Sequence, residues 1–141
     1  MTAYETVFSA FRDKITAYTF LDLTDVEEHE VLLGYMNNAI AKFGRICKKM
    51  LNRNNEISKF EDDLTDEEID ILTELMVESW VKPKLYNEDL LKNSMSTKDY
   101  TVFSPANLLN QLRELNKDTK NNARAMMNQY SVLNSNYGEM S

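Results

Sequence analysis

Between Leu64 and Val81 the chain reads LTDEEIDILTELMVESWV, and from Ile69 to Trp80 its apolar residues fall on most faces of any helix drawn through them. A surface helix gathers its apolar side chains into one stripe, so a helix that is apolar nearly all round needs neighbours on several sides. The start of this helix is equally well marked. Thr65 followed by Glu68 has the spacing of a capping box, in which the hydroxyl accepts the amide three residues on and the Glu side chain reaches back to the cap amide. Asp66 and Glu67 place negative charge at the positive end of the helix dipole, worth about 0.3–1 kcal/mol for each well-placed group. Pro83 has no amide to donate and disfavours helical geometry at Lys82, which predicts an end by about Val81. Asn87 then caps a short helical turn carrying Leu90 and Leu91.

The remaining segments supply the neighbours. Tyr4, Val7, Phe8, Phe11, Ile15 and Tyr18 recur at steps of three and four, which predicts a helix over about residues 2–18. Thr24 and Glu27 repeat the capping-box spacing and start a second helix at about Asp25. Its stripe is Leu32, Met36, Ala39, Phe43, Ile46 and Met50, widened by Tyr35, Ile40 and Cys47, and it ends near Asn52–Asn55. Ser104-Pro105 is a cap followed by proline at the first helical position and opens a long last helix. Leu108, Leu109, Leu112 and Leu115 give it an apolar face, and the stripe resumes at Ala123, Met126, Met127, Tyr130 and Leu133. Between them Asn116–Asn122 (NKDTKNN) is polar throughout, a waist with nothing to bury. Such a helix either projects so that its far end meets another chain, or bends at the waist.

Only three Gly and two Pro occur in 141 residues, too few turn signals for a sandwich or barrel. The expected fold is all-α, a small helical bundle of about four main helices with a long C-terminal helix and a flexible tail. Residues 1–133 form one helical domain and 134–141 the tail. The net charge of −7 disfavours a surface built to track phosphates and points to protein partners. With Cys47 alone there is no internal disulfide and no multi-cysteine zinc site. The N-terminal segment lacks the order of a signal peptide and no apolar run reaches membrane-spanning length, so a soluble chain made in the cytoplasm, without membrane contact, is expected.

Apparent catalytic motifs are incomplete. His29-Glu30 begins like HExxH, but Leu33 stands where the second imidazole belongs. The acidic run Glu61, Asp62, Asp63, Asp66, Glu67, Glu68 and Asp70 lacks the alternating ligands, central Gly and terminal Glu of a calcium loop. Helical pyrophosphohydrolases need EExxE, yet Glu27-Glu28 is followed by Val31 and Glu67-Glu68 by Ile71. Cys47 lies on an apolar helix side with no nearby histidine, and an inert buried thiol is expected. No catalytic residue, cofactor or metal site is predicted, and the chain is not expected to be an enzyme. Lys42, Arg45, Lys48, Lys49 and Arg53 gather toward the end of the second helix, where positive charge suits the dipole. Their functional reading is charge contact between copies, with Arg45, Lys48, Lys49 and Arg53 meeting Asp62, Asp63, Asp66 and Glu67 of a neighbour. Trp80 is read as core, and Tyr130 and Tyr137, beyond the waist, as interface anchors.

LTDEEIDILTELMVESWVKPKL, LLKNSMSTKDYTVFSPANLL, the closing MMNQYSVLN and Ala39–Phe43 upstream resemble small virion proteins of tailed phages of Gram-positive bacteria, the head-tail connector (adaptor) family of the neck. The similarity runs from about Tyr4 to Leu133 and rests on structural motifs. It implies an all-α adaptor, with adjacent copies closing a ring of about twelve beneath the portal protein. The ring joins the DNA-filled head to the next neck or tail-completion protein, and DNA passes through the lumen without sequence-specific binding. The implied location is the virion neck. On this reading Tyr130, Val132, Leu133 and Tyr137 form a docking segment, and truncation after Asn122 leaves a folded monomer unable to join the portal. The alternative is a small helical regulatory module that binds protein or DNA and is absent from the particle.

Overall fold

The structure, a computed structural model, describes residues 1–18, 28–94 and 108–140, with the side chains of 89–94 and 134–140 outside that description. The caps read at Thr24–Glu27 and Ser104-Pro105 lie outside the described residues, as do the side chains of Leu90, Leu91 and Tyr137. Four α-helices are formed among the described residues: α1 Tyr4–Ile15, α2 His29–Phe43, α3 Asp66–Ser94 and α4 Leu108–Met140. They form the expected all-α bundle.

Helix α3 occupies its centre and packs against α1, α2 and α4. Ile71, Leu72, Leu75, Met76, Val77, Trp80 and Val81 are buried along it, which accounts for a helix apolar on most faces. Its capping box forms as read, with the Glu68 amide donating to Thr65 Oγ1 at 3.1 Å and the Thr65 amide donating to Glu68 Oε1 at 2.8 Å. Helix α1 turns Tyr4, Val7, Phe8, Phe11 and Ile15 into the core, and Lys14 ties it to α3 through Asp70 (2.6 Å) and Glu74 (2.9 Å). The Phe11 ring stands edge-on to Trp80 at a centroid distance of 6.3 Å.

Two helices end elsewhere than the sequence predicts. Helix α2 stops at Phe43 instead of continuing to about Leu51. At Gly44 a Cβ would lie 2.7 Å from the Ile40 carbonyl oxygen and 3.0 Å from Leu51 Cδ2. Glycine admits the close approach by which the chain folds back, placing Cys47 and Met50 in the core while Ile46 is left partly exposed. A 3-10 turn, Lys48–Leu51, follows. Helix α3, conversely, runs through Pro83 to Ser94. The proline deprives the Ser79 carbonyl of its intrahelical donor, a local loss that the packing of α3 on three helices overrides.

A small sheet was not legible beforehand. Strands β1 (Thr2–Ala3), β2 (Arg53–Asn54) and β3 (Lys59–Phe60) pair antiparallel in the order β1-β3-β2, with Thr2 opposite Phe60 and Arg53 opposite the same residue. The turn between β2 and β3 uses the Asn54 side chain to accept the Glu56 amide at 2.9 Å and places Ser58 at φ 54°. Thr2 Oγ1 accepts the Leu64 amide at 2.9 Å, and the N-terminal ammonium pairs with Asp63, so the chain start is fastened beside the cap of α3.

Helix α4 is unbroken at the waist, and beyond it Ala123 and Tyr130 remain in the bundle core. It is continuous across 116–122 and packs on α3. Thr119 is 1% exposed and donates its hydroxyl to the Leu115 carbonyl at 2.7 Å, so a polar residue is buried there with its hydrogen bond satisfied inside the helix. Ala123 and Tyr130 beyond it belong to the same core.

Candidate functional site

Glu68 is 2% exposed, and the cap geometry that fixes one of its oxygens directs the other into the bundle. Oε1 accepts the Thr65 amide and, at 3.2 Å, the Lys49 ammonium. Oε2 accepts the Tyr130 hydroxyl at 2.6 Å. The Cys47 thiol donates to Oε2 at 3.4 Å, and its sulfur lies 3.3 Å from the Tyr130 hydroxyl as an acceptor. Four donors from three separate parts of the chain thus converge on one buried carboxylate. Burial by itself would push the Glu68 carboxyl up, but the Thr65 amide, Tyr130 hydroxyl, Cys47 thiol and Lys49 ammonium together hold it below its ordinary value. Burial, reinforced by the neighbouring thiol and carboxylate, pushes the Tyr130 phenol up; burial likewise raises the Cys47 thiol. A thiol held protonated is a poor nucleophile, and the knot made by the hydrogen bond from Tyr130 to Glu68 fastens α4 to the cap of α3.

This position corrects the reading of Tyr130 as a docking residue. It is 8% exposed, its ring is edge-on to Phe43 at 5.1 Å, and its hydroxyl is spent on Glu68. The polar waist carries no sign of this partner, because Glu68 and Tyr130 meet only through the packing of α4 on α3. Val132 and Leu133 of the same segment are exposed, at 59% and 44%. Truncation after Asn122 would therefore remove Ala123 and Tyr130 from the core and cannot leave the bundle intact.

The charged residues divide similarly. Lys49 serves Glu68 and the Asp63 carbonyl, the Asp63 carboxylate meets the N-terminus, and Asp62 accepts Asn52 Nδ2 at 3.4 Å. Arg53 donates to the Met50 carbonyl at 3.0 Å and to Asn37 Oδ1 at 3.3 Å. Lys49, Arg53, Asp62 and Asp63 thus have hydrogen-bond or ion-pair partners within their own chain. Arg45, Lys48, Asp66 and Glu67 are exposed and form no ion pair among the described residues.

Arg45 opens a feature that sequence reasoning missed. A groove of about 760 Å³ lies between α2 and the second half of α3, lined by Asn38, Ala41, Lys42, Arg45, Glu78, Ser79, Lys82, Pro83, Leu85, Tyr86 and, from α4, Asn116. Lys42 pairs with Glu78 at 3.3 Å, which leaves Arg45 and Lys82 as the groove's excess positive charge. Tyr86, 64% exposed, stands at its edge. A smaller cavity of about 370 Å³ adjoins it through Ala41 and Arg45 and adds Lys48, Leu51 and Arg53. The basic cluster was visible in sequence, but Lys82 and Tyr86 lie beyond the expected end of their helix, so nothing aligned them with it.

Among the described residues no group of three or more His, Cys, Asp or Glu is placed to hold a metal ion, and no helix is long and apolar enough to cross a membrane. Comparison with protein-family models, with curated proteins and with solved structures finds no match.

Proposed function

We propose that the chain is a structural virion protein, a head-tail connector (adaptor) that forms a ring beneath the portal protein of a tailed phage and joins the capsid to the next neck or tail component, with DNA passing through the lumen. The reading rests on the resemblance in sequence together with one observation: Val132 and Leu133 expose apolar side chains on a helix that Tyr130 and Glu68 clamp to the bundle less than one turn earlier. A clamped helix presents such a pair in a fixed direction, and preorganisation of this kind lowers the entropic cost of docking. The large acidic excess suits a wall past which DNA must slide, because phosphates are repelled from it.

Mass spectrometry of purified particles tests the proposal. The expected result is the chain at a fixed multiple copy number; a chain present in infected cells and absent from particles overturns it. Val132→Asp with Leu133→Asp should leave the urea midpoint unchanged, because both residues are exposed, and should abolish incorporation. Normal incorporation of this variant would remove the docking role from these two residues.

A further inference from the structure

The groove beside Pro83 and the acidic start of α3 lie far apart on one helix. Asp66 and Pro83 are separated by about 25 Å along the axis at 1.5 Å per residue. A single chain cannot bring its own Asp66 and Glu67 into its own groove at that distance. We infer that the groove receives the α3 start of a second copy, with Asp66 and Glu67 meeting Arg45 and Lys82, and with Tyr86 as the apolar anchor at the edge.

Three observations select this occupant. The charges are complementary, and these four residues form no ion pair among the described residues, whereas their neighbours Lys49, Asp63 and Lys42 are already used inside the chain. The occupant's end is rigid, because the capping box and the Glu68 knot fix the first turn of α3. The receiving surface combines an exposed tyrosine with arginine and a concave apolar floor at Ala41, Pro83 and Leu85, the mixture that carries energy where chains meet. Exposed ion pairs each contribute little, so the aromatic and apolar contact is required beside them. Because donor and receiver are different surfaces, the contact is heterologous and propagates from copy to copy until it closes. The inference supplies the subunit contact for the ring function proposed above and rests on that reading only for its purpose, not for its geometry.

A charge swap tests it. Seven net negative charges per copy repel at long range, so salt dependence alone does not discriminate, whereas reversing one side and then the other does. Arg45→Glu with Lys82→Glu reverses the groove, and Asp66→Lys with Glu67→Lys reverses the helix start. By sedimentation velocity the unaltered chain should associate, each reversed chain should bind its own kind at least tenfold more weakly, and an equal mixture of the two should regain association. Urea midpoints establish that both variants fold; if either fails to fold, Arg45→Ala with Tyr86→Ala supplies the same weakening with no reversed charge. Three results overturn the inference: an unaltered chain that is monomeric up to about 1 mM, the upper end of weak affinity; reversed chains that associate normally; or a mixture that is not rescued. Presence in particles with unaffected association of the reversed chains would sink this contact alone, and rescue by the mixture with absence from particles would sink only the virion function.

Discussion

Tyr130→Phe removes a single hydroxyl from the bundle and isolates the knot that holds α4. The ring stays, so its edge-on contact with Phe43 at 5.1 Å and its buried volume are retained. What is lost is the 2.6 Å bond to the Glu68 carboxylate, and hydrogen bonds to charged groups are worth about 1.5–3 kcal/mol. Glu68 keeps the Thr65 amide, Lys49 and the Cys47 thiol, so its charge is not stranded and the larger penalty for an unpaired buried carboxylate does not arise. The expected cost is about 2 kcal/mol, a sizeable part of the 5–15 kcal/mol typical of a domain. Urea unfolding measures it as a lowered midpoint with an unchanged slope. A double-mutant cycle with Glu68→Gln should show coupling of about 1 kcal/mol or more, because the two groups touch. A loss below about 0.5 kcal/mol, the range of indifferent surface substitutions, would show that the hydroxyl is not spent on Glu68 and would refute the knot.

Further expectations follow from the same contacts. Glu68 has a lowered pKa in the folded chain, so its stabilising contribution is present above the unfolded carboxyl value of about 4.3 and is lost as pH falls through the folded value; acid titration of the urea midpoint should show the deficit of Tyr130→Phe shrinking in that range. Cys47 and Tyr130 are shifted upward, so stability is present below the unfolded thiol value of about 8.5 and declines as pH rises beyond it, and a thiol reagent at neutral pH should react at the rate of global opening. Gly34→Ala, where nothing lies within 4 Å of the added Cβ, should stabilise α2 by about 0.5–1 kcal/mol, while Gly44→Ala should cost about 1–3 kcal/mol through the Ile40 carbonyl; thermal melts of the pair should move in opposite directions. Pro83→Ala restores an amide for the Ser79 carbonyl and should stabilise the chain by about 1–3 kcal/mol by urea denaturation; a loss instead would mean that the proline shapes the helix it interrupts.

The errors of the sequence reading share a cause. The apolar stripe continues numerically past Gly44 through Cys47 and Met50, and both are indeed buried, but from a 3-10 turn and its approach instead of from α2. Local chemistry assigns Pro83 the end of a helix, and the packing of α3 against three helices outweighs that. The two-residue strands were invisible because no alternation can be read over so short a span.

What Thr65–Trp80 determined unaided was local: a capped helix, buried on most sides, at the centre of a bundle, since hydrogen bonding at a helix end and apolar periodicity act between residues three and four apart. The same Glu68 also shows what sequence could not settle. Its cap bond to Thr65 is written in the spacing, whereas its bond to Tyr130, sixty-two residues away, exists only because α4 lies along α3. Tyr130 is a core residue and Val132 a surface one for that reason alone: the direction in which a helix face points is set by what the folded chain places against it.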